Sequence, residues 1–81
     1  MENKQEFVKS LEACLKLSRE FSDLRSLEYV KKENEEYVYL IYKGCQKRIC
    51  VTGDSCFGIL IDFVNRYNST PYILDDNLKY L

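Results

Sequence analysis

The chain has 81 residues, of which 46% are hydrophobic and 31% are charged, and its formal net charge is −1. This composition is typical of one globular domain, and it excludes a disordered chain, which would combine low hydrophobicity with high net charge. It also excludes general affinity for nucleic acid, because counterion release requires a dense set of lysine and arginine side chains.

Neither a secretory signal nor a membrane span is predicted. Residues 1–6 lack a basic start followed by an apolar core, and no apolar run approaches the roughly 20 residues that cross a bilayer. We therefore expect a cytoplasmic protein that does not bind membranes.

The cysteines predict no redox motif. Cys14, Cys45, Cys50 and Cys56 follow no C-x-x-C spacing, and the chain contains no histidine to complete a mixed metal site. Free thiols are expected in a reducing cytosol, with no metal and no cofactor. A metal site built from all four cysteines is the alternative.

The first predicted element is one long amphipathic helix from Glu2 to about Arg25, with Asn3 as its N-cap. Apolar residues recur through this segment mostly at three- and four-residue steps, which is the spacing of one helix face. These positions are Phe7, Val8, Leu11, Cys14, Leu15, Phe21 and Leu24.

Three strands are predicted next, over residues 27–32, 36–43 and 46–52, with loops of two residues at Asn34-Glu35 and Gly44-Cys45. In this register Leu27 faces Tyr42, and Leu40 faces Ile49. The predicted core face then holds Leu27, Tyr29, Val38, Leu40, Tyr42, Ile49 and Val51, while Lys31 and Lys47 reach water at its rim.

The opposite face of the sheet receives Tyr37, Tyr39 and Ile41 in this register. A domain this small covers one face of a sheet well, so this second face is expected to stay partly open. The alternative is a second loop of three residues, which would slip the register by one and send Tyr39 and Ile41 inward.

A second helix is predicted from an N-cap at Asp54 or Ser55 to about Tyr67. We expect it to lie nearly buried between the sheet and the first helix, with Asp62 and Arg66 marking its exposed edge. Its main stripe is Phe57, Leu60, Ile61, Val64 and Tyr67, widened by Ile59 and Phe63.

Residues 72–81 form an apolar tail after Pro71. We expect this tail either to dock on the domain, as a short helix from about Asp75, or to bind a partner.

The predicted order of elements gives an α+β two-layer domain, α-β-β-β-α, with a three-stranded antiparallel sheet and both helices on one face. This order is similar to that of double-stranded RNA-binding domains, which hold phosphates with lysines at the start of their last helix. The matching segment here, residues 55–59, contains no lysine, so binding of duplex nucleic acid is not expected.

No catalytic motif is present, so we expect a non-enzymatic module that binds another protein or forms a homodimer, without a small-molecule substrate. The tyrosine-rich open face would supply contact area. Two acidic turns, at residues 33–36 and 75–76, would steer a basic partner. Stacking of single-stranded nucleic acid on the tyrosines is the alternative. The residues expected to meet a partner are Glu33, Glu35, Glu36, Tyr37, Tyr39, Ile41, Asp75 and Asp76.

Size, acidity, element order and the two acidic turns together resemble those of some small phage anti-CRISPR proteins. Those proteins occupy the DNA-contacting groove of a CRISPR nuclease with carboxylates. The resemblance implies an inhibitor, encoded by a phage or another mobile element, that acts by binding a host protein.

Overall fold

The computed structural model describes residues 3–52 and 55–74. Its elements in chain order are α1 (Lys4–Leu15), a short 3₁₀ helix (Arg19–Phe21), β1 (Leu24–Lys32), β2 (Glu35–Tyr42), β3 (Cys45–Val51), α2 (Cys56–Arg66) and β4 (Tyr72–Leu74). The strands form one antiparallel sheet in the order β1-β2-β3-β4. The predicted α+β class is confirmed, and the sheet has four strands where three were predicted.

The first helix is half as long as predicted, because the chain turns at Ser18. Asn3 caps the start of α1 as expected, since its side chain accepts a hydrogen bond from the N–H of Glu6. Ser18 adopts an extended backbone and caps the 3₁₀ helix by accepting from the N–H of Glu20. A serine side chain competes well for backbone N–H groups in this way. The apolar residue Leu24 therefore belongs to β1 and not to a helix.

A carboxylate fixes α1 against β1. The backbone N–H of Leu27 donates to Glu12 Oε1 at 3.0 Å, and Lys9 and Lys16 each approach the same side chain within 3.2 Å. Partial burial alone would raise the pKa of Glu12, but these hydrogen bonds outweigh it and lower that pKa. Because β1 is an edge strand, the N–H of Leu27 would otherwise have no partner in the sheet, and Glu12 accepts its hydrogen bond.

Both hairpin turns have two residues, as predicted, but each lies one residue earlier. They are residues 33–34 and 43–44, so that Lys32 pairs with Glu35 and Tyr42 with Cys45. Gly44 has a φ of 86°, in the left-handed region that glycine adopts without strain. The backbone conformation of this glycine decides where the second turn falls.

The predicted pairing partners are consequently wrong by two residues, while the predicted faces are right. Leu27 pairs with Leu40, and Val38 pairs with Ile49. Because side chains alternate along a strand, a shift of two residues returns each side chain to the same face. The buried core is Val8, Leu24, Leu27, Val38, Leu40, Ile49, Val51, Ile59 and Phe63.

Helix α2 turns a different side to the core from the one predicted. Ile59 and Phe63 are 0% and 4% exposed, whereas Phe57, Ile61 and Val64 are 69%, 43% and 62% exposed. The expectation that the latter three residues would be buried is therefore wrong.

Polar contacts hold α2 in this rotation. The Asp62 carboxylate accepts from Thr52 N–H at 2.7 Å, and Arg66 Nη1 donates to the carbonyl of Cys50 at 2.9 Å. Asp62 and Arg66 were expected to mark the exposed edge of the helix. Instead they bond to the end of β3, and this places the neighbouring positions Ile59 and Phe63 over the sheet.

Lys47 is buried, although it was expected to reach water. It is 5% exposed, and its Nζ donates to the carbonyl of Tyr67 at 2.7 Å. The same nitrogen lies 3.8 Å from the ring centroid of Tyr67 and 4.7 Å from that of Tyr72. Lys47 therefore connects β3, the C-terminal end of α2 and β4.

The first part of the C-terminal tail forms a strand, which was not predicted. Ile73 of β4 pairs with Gln46 of β3. The predicted short helix from Asp75, and the predicted contact residues Asp75 and Asp76, lie outside the described residues.

The two faces of α2 can be distinguished by one pair of alanine variants. We expect Ile59→Ala to lower the free energy of unfolding by about 2–5 kcal/mol, because it removes a fully buried side chain. Ile61→Ala should change it by no more than about 0.5 kcal/mol, since this side chain is exposed. Urea unfolding followed by circular dichroism measures both, and equal losses would contradict the observed rotation of α2.

Candidate functional site

The sheet face opposite the core carries the predicted contact residues Tyr37, Tyr39 and Ile41. The helices do not cover this face, because their buried side chains pack against the other one. However, Tyr39 is only 4% exposed, so the expectation that its ring would offer contact area is wrong. Tyr37 and Ile41 are partly exposed.

Tyr39 is covered by its own neighbours on the sheet. Arg48, directly opposite on β3, places its guanidinium 5.2 Å from the ring centroid, and the Lys32 ammonium lies 6.0 Å away. The ring of Tyr37 meets it edge-on at 6.2 Å. The ring of Tyr39 therefore has no free face on which a nucleic-acid base could stack.

The acidic turn between β1 and β2 is less free than its sequence predicts. Glu33 and Glu35 are exposed, and Glu35 accepts a hydrogen bond from the Tyr37 hydroxyl, which raises the pKa of Tyr37 to about 12. Glu36 is on the face that bears the helices. There it accepts from Tyr29 Oη at 2.8 Å and pairs with Lys4 at 3.1 Å, so it is not available to steer a partner.

Three large apolar side chains of α2 are exposed. Phe57, Ile61 and Val64 follow one another at steps of four and three residues, so they lie side by side along the outer surface of the helix. We call these three residues the α2 face. Sequence analysis identified all three as apolar stripe residues but placed them in the core.

An apolar groove adjoins the α2 face, between α2 and the end of α1. It has a volume of about 560 Å³ and is open to solvent. Its wall includes Val64, which continues the α2 face, and the tilted ring pair of Phe21 and Tyr67, 5.4 Å apart. The complete lining is Leu15, Glu20, Phe21, Phe63, Val64, Tyr67 and Asn68.

A second depression shares Glu20 with this groove. It has a volume of about 500 Å³ and combines two carboxylates with the rings of Tyr42 and Tyr72, which meet edge-on at 5.5 Å. Its lining is Glu20, Asp23, Tyr42, Lys43, Cys45 and Tyr72, and we call it the acidic cleft. Neither Glu20 nor Asp23 forms an ion pair with any residue in the described ranges.

Tyr42 lines the acidic cleft and carries a buried polar group. Its hydroxyl oxygen is buried and makes no hydrogen bond within the part of the chain that the structure describes. Burial raises the pKa of Tyr42, and the nearby hydroxyls of Tyr67 and Tyr72 raise it further. The phenol therefore remains neutral over the physiological pH range.

Residues 3–52 and 55–74 contain no cluster of three or more His, Cys, Asp or Glu side chains arranged to hold a metal ion. Among the same residues, neither α1 nor α2 has the length and continuous apolar sequence that a membrane-spanning helix requires. Cys14 is exposed, and Cys45, Cys50 and Cys56 are partly buried.

Comparisons with protein-family models, with curated proteins and with solved structures found no match for this chain.

The environment of Tyr29, which is partly buried and bonded to Glu36, should make the stability of the fold depend on pH in the alkaline range. Burial, together with this bond, raises the pKa of Tyr29 from 10 to about 12, and the bond from Tyr29 also lowers the pKa of Glu36. A group whose pKa is higher in the folded chain than in the unfolded chain stabilises the fold fully at pH values below its pKa in the unfolded chain. This stabilisation is lost as the pH rises toward its pKa in the folded chain. The free energy of unfolding should therefore fall between pH 10 and about 12.

The variant Tyr29→Phe isolates this contribution. We expect it to be less stable than the wild type at neutral pH by about 1 kcal/mol, through loss of the hydrogen bond to Glu36. Its stability should also fall less steeply above pH 10. Denaturant unfolding at a series of pH values measures both effects, and an unchanged alkaline slope would contradict the assignment.

Proposed function

We propose that the chain is a non-enzymatic domain that binds another protein through the α2 face and the apolar groove beside it. The observation that carries this proposal is the exposure of Phe57, Ile61 and Val64 at 69%, 43% and 62% on one side of a single helix. Contiguous apolar surface of this kind is typical of protein contact sites.

The absence of unpaired charge on helix α2 supports the proposal. Within the described part of α2, the only charged side chains are Asp62 and Arg66, and both bond to the end of β3. A partner that covers the α2 face would therefore remove no unpaired charge of this helix from water. Such removal is the main cost that opposes burial of a surface.

A different protein is favoured over a second copy of this chain. In a two-fold dimer both copies use the same patch, so an interface across the groove would bring two Glu20 carboxylates and no basic side chain of the groove lining into one contact surface. Like charges at an interface oppose association. Inhibition of a host protein, which the resemblance to small phage anti-CRISPR proteins implies, is one activity that such binding would serve.

A displayed library of random peptides can test whether the α2 face binds protein segments. We expect the immobilised wild-type chain to enrich a set of peptides, and Ile61→Lys to weaken their binding by at least about tenfold, because it places a charge at the centre of the contact. Fluorescence polarisation with the enriched peptides measures the affinities.

The matched control is Tyr37→Lys, which adds the same charge at a partly exposed position on the open sheet face. It should leave peptide affinity within about twofold of wild type, because a distant exposed charge contributes little. Equal binding by wild type and Ile61→Lys, with loss in the control, would refute the α2 face as the contact surface. Light scattering that shows a dimer dissociated by Ile61→Lys would assign this face to self-association instead.

A further inference from the structure

We infer that the partner segment combines apolar side chains with a lysine or arginine, and that the basic side chain binds at Glu20 and Asp23 in the acidic cleft. This inference rests on the proposed function, and it specifies the chemistry of the partner. The structural basis is the continuity of three surfaces: the α2 face, the apolar groove and the acidic cleft.

Val64 and Glu20 make this surface continuous. Val64 belongs to the α2 face and also lines the apolar groove, while Glu20 lines both the groove and the acidic cleft. One extended or helical segment that follows the groove would therefore pass from apolar contacts to a pair of carboxylates. The groove itself has one charged group in its lining, which is Glu20.

The charge of the acidic cleft selects a cation. Glu20 and Asp23 form no ion pair within residues 3–52 and 55–74, whereas Lys43 is the single basic residue of the cleft lining. Among the side chains that line the cleft, two carboxylates and one ammonium give a net negative charge, while the nearby Lys47 is buried and already bonded to the carbonyl of Tyr67. A guanidinium or ammonium from a partner would restore the balance, and a guanidinium has more hydrogen-bond donors to offer to carboxylates than an ammonium has.

The aromatic walls help to define which part of the partner binds here. Tyr72 is 52% exposed, so its ring can contact the aliphatic stem of a lysine or arginine. Lys47 already lies 4.7 Å from the centroid of this ring, which weakens its attraction for a second cation. The carboxylates therefore supply the attraction, and the ring supplies apolar contact for the stem.

The test uses the same random-peptide library with a charge-neutral double variant. We expect peptides enriched by the wild type to contain lysine or arginine close to apolar residues. Glu20→Gln with Asp23→Asn should weaken the binding of these basic peptides by about fivefold, and it should remove the salt dependence of their affinity. Replacement of the basic residue by glutamine in the peptide should produce no further loss in this variant.

The matched control is Glu33→Gln with Glu35→Gln, which changes the net charge by the same amount. Glu33 lies in the turn after β1 and Glu35 begins β2, so both are at the opposite end of β1 from Asp23. The control should bind the basic peptides within about twofold of wild type at physiological salt, because screening limits the reach of distant surface charges.

The outcomes separate this inference from the proposed function. Enriched peptides that depend on Ile61 but contain no basic residue would overturn the inference and leave the proposed function standing. Equal loss in the two double variants would also overturn it, since a general charge effect would then explain the preference. Enrichment of no peptide at all by the wild type would count against both proposals.

Discussion

The rotation of α2 about its own axis is the constraint on which the exposed surface of this protein depends. The helix carries two apolar stripes, and one sheet face can bury only one of them. Arg66 and Asp62 bond to backbone groups at the end of β3, and both side chains lie next to the Ile59–Phe63 stripe on the helix surface. Either stripe is apolar enough to be buried, but these hydrogen bonds form only when the Ile59–Phe63 stripe faces the sheet. The stripe of Phe57, Ile61 and Val64 therefore remains exposed.

Lys47 adds to this constraint at the C-terminal end of the helix, next to Arg66. A buried amino group is costly unless its hydrogen-bonding capacity is used, and here it is used on the last turn of α2. A cation near the C-terminal carbonyls also interacts favourably with the helix dipole. The ring centroid of Tyr72 lies 4.7 Å from the same nitrogen, so this one side chain also contacts β4 and a wall of the acidic cleft.

The tyrosine-rich strand β2 shows why residue type alone does not identify a binding surface. Its alternation correctly predicted which side chains share a face. However, exposure on an open sheet face depends on neighbouring strands, and Arg48 and Lys32 lie over Tyr39. Long basic side chains can cover an aromatic ring with their apolar stems while their charged groups remain near water. The open face is consequently more closed than its composition indicates.

Alternation, helical periodicity and capping residues are local properties, and they determined the α+β class, the core face of the sheet and the cap at Asn3, and they limited the second cap to Asp54 or Ser55, of which the structure uses Ser55. Local patterns also gave the correct length of both turns, although the conformation of Gly44 moved the second turn by one residue. Only the tertiary structure decided which stripe of α2 is buried, that Glu36 binds Lys4 and Tyr29, and that Glu20 and Asp23 share a cleft. The physical reason is that each of these outcomes is a competition between contacts distant in sequence, and periodicity within one segment contains no information about its partners.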